Sequence, residues 1–393
     1  MNGNKKVILH LIFDGILFDR TYSHFEEMEN YENRYLFGGF ITDEKIKYIK
    51  NTEKLIRVES LEEWGKIVSD SQVDIIYMHG LWPDYIKAID YVRDNVIIMW
   101  WCYGMEIYEN CYGLPPLMGL NIYKPKTYEF VESFGGFRYK IKLCLLLRHP
   151  KIYMLWRKIS DTIHRRPERK LIKMLSRIDY AFTPLEKELV ELKKKCPYIK
   201  AKPFKLRAMI ERLPIEIHEK SGNLLLEHSA NISNNHLDLL ASLKEKKLNL
   251  QGRDIYVPLG YGNEKLAALV HDEAHFDGAV VKCLMDAMPF EEYKKMMSGC
   301  THAIFGMLRQ SGLGNIFLCF QKGIKIFFFK DSILYKQFIS DGFHVYSIED
   351  DLNEKSIREP LEKDKALRNY ELYYTKFVST DSFQQQFSNI LNS

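Results

Sequence analysis

Residues 74–101 read DIIYMHGLWPDYIKAIDYVRDNVIIMWW. Asp74–Met78 is a short apolar run closed by His79-Gly80, and Asn95–Trp101 is a second run closed by Cys102-Tyr103-Gly104. Between them LWPDYIKAIDYVRD carries apolar residues at helical spacing. Strand, short loop, helix and strand in that order make the repeating unit of a doubly wound parallel sheet. Upstream, Lys6–Phe13 (KVILHLIF) stops at Asp14-Gly15 and reads as the buried first strand of the same sheet.

The pattern restarts downstream. Leu224–Leu226 lead through Glu227-His228-Ser229 and a polar loop into the helical HLDLLASLKE. Arg253–Pro258 is a further strand ending at Leu259-Gly260-Tyr261-Gly262. Ala303–Met307, a glycine-containing loop, the apolar IFLCFQ and Ile324–Phe329 continue the alternation. At 393 residues the chain is comfortable as two domains. Pro203, Pro214 and Ser221-Gly222 place the linker near Pro203–Gly222. The expected layout is a Rossmann-like domain over 1–210, with a basic helical insertion at about 111–175. A second Rossmann-like domain follows over 222–365, and a final helix within 366–393 packs back on the first domain.

With 46% hydrophobic and 27% charged residues the chain is globular, and its +4 net charge does not itself point to nucleic acid. Seven scattered cysteines with no CxxC pair fit a reduced, cytoplasmic protein and no zinc site. No metal ligands and no cofactor are read. The start, MNGNKKVILHLIFDG, reads as a first strand rather than a signal peptide, and no run is long enough to span a membrane. Residues 138–173 stand apart. Twelve lysines and arginines are interleaved there with leucine, tyrosine and tryptophan, and only Asp161 and Glu168 oppose them. Such a segment suits an anionic membrane surface, on the inner face of the plasma membrane. A solvated basic helix pair packed on the first domain is the alternative; no recognised nucleic-acid module accompanies the charge.

Chemistry concentrates at the ends of the strands. Arg309-Gln310-Ser311-Gly312-Leu313-Gly314-Asn315 lies between a strand and a helix. Glycines there let backbone approach a phosphate, the helix start points its N–H groups at the anion, and Arg309 adds a bidentate partner. An ordinary glycine-rich turn is the competing explanation. The loop lacks the GK[ST] of a P-loop, and it lies too far down the chain for the dinucleotide fingerprint. Ser229, Asn234 and His236 can hold phosphate or sugar hydroxyls, or Ser233 and Asn234 can cap the helix. Gly260 and Tyr261 follow another strand, where Tyr261 stacks on a base or sugar or simply joins the core. For a general base the first half offers Asp14, His79 and Glu106 at strand ends, with Glu106 and Asp14 ahead of His79. Each also has a structural reading: a helix cap for Asp14, a satisfied buried histidine for His79, an ion pair for Glu106.

His79-Gly80 with WWCYGMEIYE (100–109), NLLLEHSANISNNHLDLL (223–240), YVPLGYGN (256–263) and LRQSGLGNIFLCFQKGIK (308–325) occur in this order. Together they resemble glycosyltransferase family 56, the TDP-N-acetylfucosamine:lipid II N-acetylfucosaminyltransferases of enterobacterial common antigen synthesis. The resemblance implies a GT-B fold of two Rossmann-like domains facing a cleft, with the acceptor bound by 1–210 and the nucleotide sugar by 222–365. It also implies an inverting, metal-independent transfer, a dTDP-sugar donor and a polyprenyl-diphosphate-linked glycan acceptor. The chain departs from the family in having Ala230-Asn231 where a Gly-Asp pair is usual, and in a longer, more basic 111–170 stretch. IFLCFQKG (316–323) carries no acid to grip a ribose, which is compatible with a thymidine nucleotide. Two other readings stay open: a sugar-nucleotide epimerase on the same fold, and a non-catalytic nucleotide-binding or scaffold subunit of an envelope polysaccharide assembly.

Overall fold

The computed structural model describes residues 5–15, 18–38, 46, 49–108, 114–119, 122–134, 159, 169–209, 212, 214–216 and 222–392. Most of the basic 138–173 segment, with Cys111 and Cys144, lies outside the described residues. The described chain forms two compact units. One is drawn from Met1–Gly119, Ser160–Met209 and Ser379–Ser393, the other from Leu120–Ile159 and Ile210–Val378.

In the first unit the described strands are β1 (Lys6–Ile12), β2 (Tyr31–Phe37), β3 (Leu55–Ile56), β4 (Val73–His79), β5 (Ile97–Trp101), β6 (Tyr180–Phe182) and β7 (Lys202–Pro203). They lie in the order β3-β2-β1-β4-β5-β6-β7, and every pairing is parallel. The apolar run of β1 is central, so all of it beyond Lys6 is buried. Strand order reverses between β1 and β4, which opens a crevice at their carboxyl ends. The helix Phe383–Leu391, started by a Ser382/Gln385 capping box, belongs to this unit. Phe383 meets Phe25 edge-on at 5.0 Å and Phe387 meets Tyr31 at 5.4 Å. Burying Phe387 alone contributes about 2–3 kcal/mol.

The second unit repeats the plan with β8 (Asn223–Leu226), β9 (Asp254–Pro258), β10 (Val280–Leu284), β11 (Cys300–Phe305), β12 (Lys325–Phe328) and β13 (Tyr346–Ser347). The order is β10-β9-β8-β11-β12-β13, all parallel, with the reversal between β8 and β11. Residues 122–134 pack in this unit. Asn235 Oδ1 accepts from Lys124 N at 2.8 Å. The Asp238 carboxylate then takes the exposed first-turn donors of the helix Pro125–Ser133, Lys126 N at 2.9 Å and Thr127 N at 2.8 Å.

Candidate functional site

The second unit gathers its polar groups at the β8/β11 switch point. β8 is fully buried, apolar from Leu224 to its end at Leu226; the next residue, Glu227, adopts φ 62°. A non-glycine residue in that region is strained and needs its surroundings to hold it. Glu227 Oε1 accepts the Gly306 N–H, and Glu227 N donates to Ile304 O at 3.1 Å, so this one residue ties the ends of β8 and β11 together. The carboxylate has no exposed surface, and burial raises its pKa against the pull of His228. Glu227 Oε2 lies 3.4 Å from His228 Nδ1, and His228 Nε2 lies 3.3 Å from Ser311 Oγ.

Around this pair stand the residues read from the sequence. Asn234 Nδ2 donates to Ser229 O at 2.8 Å and to Ser229 Oγ at 3.2 Å. Arg309, 6% exposed, donates from Nε to Ser233 Oγ at 3.0 Å and from one terminal nitrogen to Gln310 O at 2.8 Å. Gly312 sits at φ 61° as the N-cap of the helix Leu313–Gln321, and Gly314 and Asn315 lie in that helix's first turn. Asn231, where the resembled family has aspartate, accepts from Ser233 N at 3.0 Å. Its oxygen thus does the capping that a carboxylate would. Ala230 N donates to Tyr261 O at 2.7 Å, which brings the Gly260-Tyr261 loop beside Ser229; the Tyr261 ring is 70% exposed. His236 is buried, and desolvation lowers its pKa to about 3.

The polar atoms left over are the informative ones. Glu227 Oε2 and His228 Nδ1 have each other, but Asn234 Oδ1, both nitrogens of His236 and Gln310 Oε1 are buried without a hydrogen-bond partner among the described residues. Buried polar atoms are nearly always bonded, and an orphan costs about 1–3 kcal/mol. Asn234, His236 and Gln310 thus carry unpaired polar atoms close to the ends of β8 and β11.

In the first unit the β1/β4 crevice is lined by Phe13, Gly80, Leu81, Trp82, Tyr103, Met105 and Glu106. Glu106 is buried at the start of the helix Met105–Tyr108. Its Oε1 accepts Tyr103 N at 2.9 Å, Oε2 is without a partner, and burial raises its pKa. His79 is buried as well, its Nε2 3.0 Å from His10 Nδ1 and its Nδ1 3.4 Å from the Tyr103 hydroxyl, and desolvation holds its pKa well below the usual value. Asp14 is half-buried and accepts Ile49 N at 3.1 Å.

The sequence profile of the family described as 4-alpha-L-fucosyltransferase, glycosyl transferase group 56, matches residues 191–393, just over half of the chain. The chain belongs to this family. The fold has counterparts among solved glycosyltransferases at low identity. Sucrose-phosphate synthase from Thermosynechococcus elongatus superposes with a TM-score of 0.63 at 8% identity, over 99% of this chain and 98% of that one. The lipopolysaccharide outer core galactosyltransferase WaaB superposes at 0.58 and 8% identity, over 98% and 99%. An alpha-glucosyltransferase in complex with UDP and DNA superposes at 0.50 and 10% identity, over 99% and 100%. The group 56 chain is thus a glycosyltransferase of GT-B fold with two Rossmann-like sheets.

Reading this glycosyltransferase from its sequence passed over Glu227, His228, Tyr103 and His10. Glu227-His228 directly after the apolar Leu224–Leu226 was the available signal: a polar pair at that point ends up at the switch point. At the end of the basic segment, the helix Arg169–Arg177 buries Leu171, Met174 and Leu175, while Lys170 and Lys173 pair with Asp90 at 3.1 and 2.6 Å. Among the described residues no group of three or more His, Cys, Asp or Glu is placed to hold a metal ion, and no helix is long and apolar enough to cross a membrane.

Proposed function

We propose that this glycosyltransferase moves a sugar from a nucleoside diphosphate, dTDP by preference, to a polyprenyl-diphosphate-linked glycan in the synthesis of a bacterial surface polysaccharide. The observation that carries the donor site is the cluster of partnerless buried polar atoms at the ends of β8 and β11. Ser229, Asn234, His236, Gly260, Tyr261 and the loop Arg309–Asn315 hold the donor there. Arg309 and the N-terminus of the helix Leu313–Gln321 take the diphosphate, whose negative charge grows as it leaves.

The acceptor docks in the first unit, with Glu106 as the base. Its second carboxylate oxygen is unpartnered, and a carboxylate of raised pKa is the stronger base. The acceptor hydroxyl gives its proton to Glu106 as its oxygen bonds to the anomeric carbon. The bond from that carbon to the diphosphate breaks on the opposite side, inverting the centre, and the step needs no resident metal. Residues 138–173 hold the enzyme on the inner face of the membrane, where such an acceptor resides.

The test is transfer of radiolabelled sugar from dTDP-, UDP- and GDP-linked donors to a synthetic polyprenyl-diphosphate disaccharide in detergent micelles. Label extracted with the lipid from the dTDP donor is the expected result. Release of free sugar or of an isomerised nucleotide sugar, with none in the lipid, would replace the transferase reading by the epimerase one.

A further inference from the structure

Glu227 combines two costly features at the end of β8, a backbone at φ 62° and a carboxylate with no exposed surface. Glycine would adopt that backbone without strain, so the carboxylate itself is what the position retains. Its Oε1 takes the Gly306 N–H, and Oε2 is turned to His228 Nδ1 at 3.4 Å. An ionised carboxylate only accepts, so the ring carries a proton on Nδ1 at that end. Nε2 is then the nitrogen presented to the glycine-rich loop, 3.3 Å from Ser311 Oγ.

The ring reaches the loop because residue 312 is glycine. A Cβ there would lie 2.7 Å from His228 Nδ1 and 3.1 Å from Cγ. His228 thus rests against the N-cap residue of the helix Leu313–Gln321. Exposure is graded across the pair: the Glu227 side chain is 0% exposed, the His228 side chain 11%, and the loop from Gln310 to Leu313 is half-exposed. His228 Nδ1 is itself buried, so the open part of the ring does not lie at the Glu227 end. Arg309, the neighbouring cation, gives Nε to Ser233 Oγ and a terminal nitrogen to Gln310 O. A diphosphate seated on the loop brings more negative charge than one guanidinium so engaged balances, and more develops as it leaves.

We propose that His228 is a diphosphate-binding residue, which donates from Nε2 to a phosphate oxygen of the nucleotide donor in place of the Ser311 hydroxyl, and that Glu227 is the positioning residue that fixes its ring and balances its charge. With an anion at each nitrogen the ring carries a proton on each, and its positive charge stands where the diphosphate gathers negative charge as the sugar departs. This rests on the transferase reading above and names a second cation for its leaving group.

Calorimetric titration of the full-length protein with dTDP, UDP and GDP tests it, alongside His228→Gln, Glu227→Gln and the double variant. His228→Gln keeps a polar side chain at a half-buried position and loses the charge. It should weaken the diphosphate that wild type binds tightest by about tenfold to a hundredfold, with the melting temperature held. Glu227→Gln should weaken binding in the wild-type chain and add nothing once His228 is replaced, because it acts through the ring. Equal weakening in both chains would make Glu227 merely structural and overturn its positioning role. Glu227 also ties β8 to β11, so side-chain ¹⁵N NMR of the wild type gives a readout that needs no variant at that position. His228 Nδ1 should be protonated with and without nucleotide, and the Nε2 resonance should move when nucleotide is added. A bare Nδ1, or an Nε2 resonance indifferent to nucleotide, would overturn the proposal. Wild-type affinity in His228→Gln would end it and leave the donor site standing. A wild type that binds none of the three would remove the donor site and this proposal with it.

Discussion

Two glycines of the donor loop, Gly312 and Gly314, separate folding from ligand binding. Gly312 stands at φ 61°, and a Cβ added there would lie 2.7 Å from His228 Nδ1 and 2.8 Å from Cε1. An L-residue in that conformation costs about 1–2 kcal/mol, and forcing the ring aside adds about 1–3 kcal/mol. Gly312→Ala should therefore destabilise by about 2–4 kcal/mol, and any loss of nucleotide binding would be mixed with damage to the loop. Gly314 differs. It lies inside the helix, and its Cβ would meet no atom within 4 Å. Gly314→Ala should stabilise by about 0.5–1 kcal/mol, because alanine loses less backbone entropy. If the loop holds a diphosphate against its backbone, however, that open space is where the phosphate oxygens approach. The new methyl should then weaken nucleoside diphosphate binding about tenfold or more while the melting temperature holds or rises. Thermal unfolding and calorimetric titration of the two variants read both quantities. A Gly314→Ala protein that is more stable and binds as tightly as wild type would refute the assignment and leave an ordinary turn.

Asp238→Asn removes the carboxylate that takes Lys126 N and Thr127 N, so it should destabilise the helix Pro125–Ser133 by about 1–2 kcal/mol. Hydrogen exchange should accelerate over residues 122–134 and not over β8; unchanged exchange there would contradict the cap. His10 has a folded pKa lowered by burial from 6.5 to about 4. Above pH 6.5 both folded and unfolded forms are neutral and the group is silent. Below it the unfolded chain binds the proton first, so stability should fall by about 3 kcal/mol between pH 6.5 and 4 and level off beneath. Titration of the His10 resonances checks this directly, and a midpoint near 6.5 would refute it. Gly262→Ala, at φ 127° with a Cβ only 2.4 Å from the Ala230 carbonyl carbon, should cost more than about 2 kcal/mol in urea unfolding, since backbone has to yield; a wild-type midpoint would contradict that contact.

The central strands were legible because a parallel strand buried on both faces is mostly an apolar run, as in VIL of β1, IIYM of β4, IIMWW of β5, LLL of β8 and IFF of β12. β2 was not. Its Glu32, Asn33 and Arg34 break the run, and they are accommodated by partners distant in sequence: Arg34 by Asp70, Asn33 by His10. β10 (VVKCL) is apolar at every position but Lys282, and it lies exposed or half-exposed at the sheet edge. At the site, the glycine-rich loop and Glu106 could be picked out because their residue types suit phosphate and proton chemistry wherever they occur. Glu227 carried a signal, a charged residue directly after an apolar run, but His10 did not, since its role depends on His79 and on Asn33, brought near only by the sheet order. Asp238 capping a helix that starts at Pro125 is illegible for the same reason.

The central claim is that the polar cluster at the ends of β8 and β11 receives a nucleoside diphosphate. Calorimetric titration of the purified protein with dTDP, UDP, GDP and CMP, repeated with Arg309→Ala, tests it most directly. The account predicts saturable binding of one diphosphate, dTDP by preference, weakened about tenfold to a hundredfold by the substitution, as loss of a charge-assisted contact requires. No binding of any nucleotide, or equal binding by the Arg309→Ala protein, would contradict it.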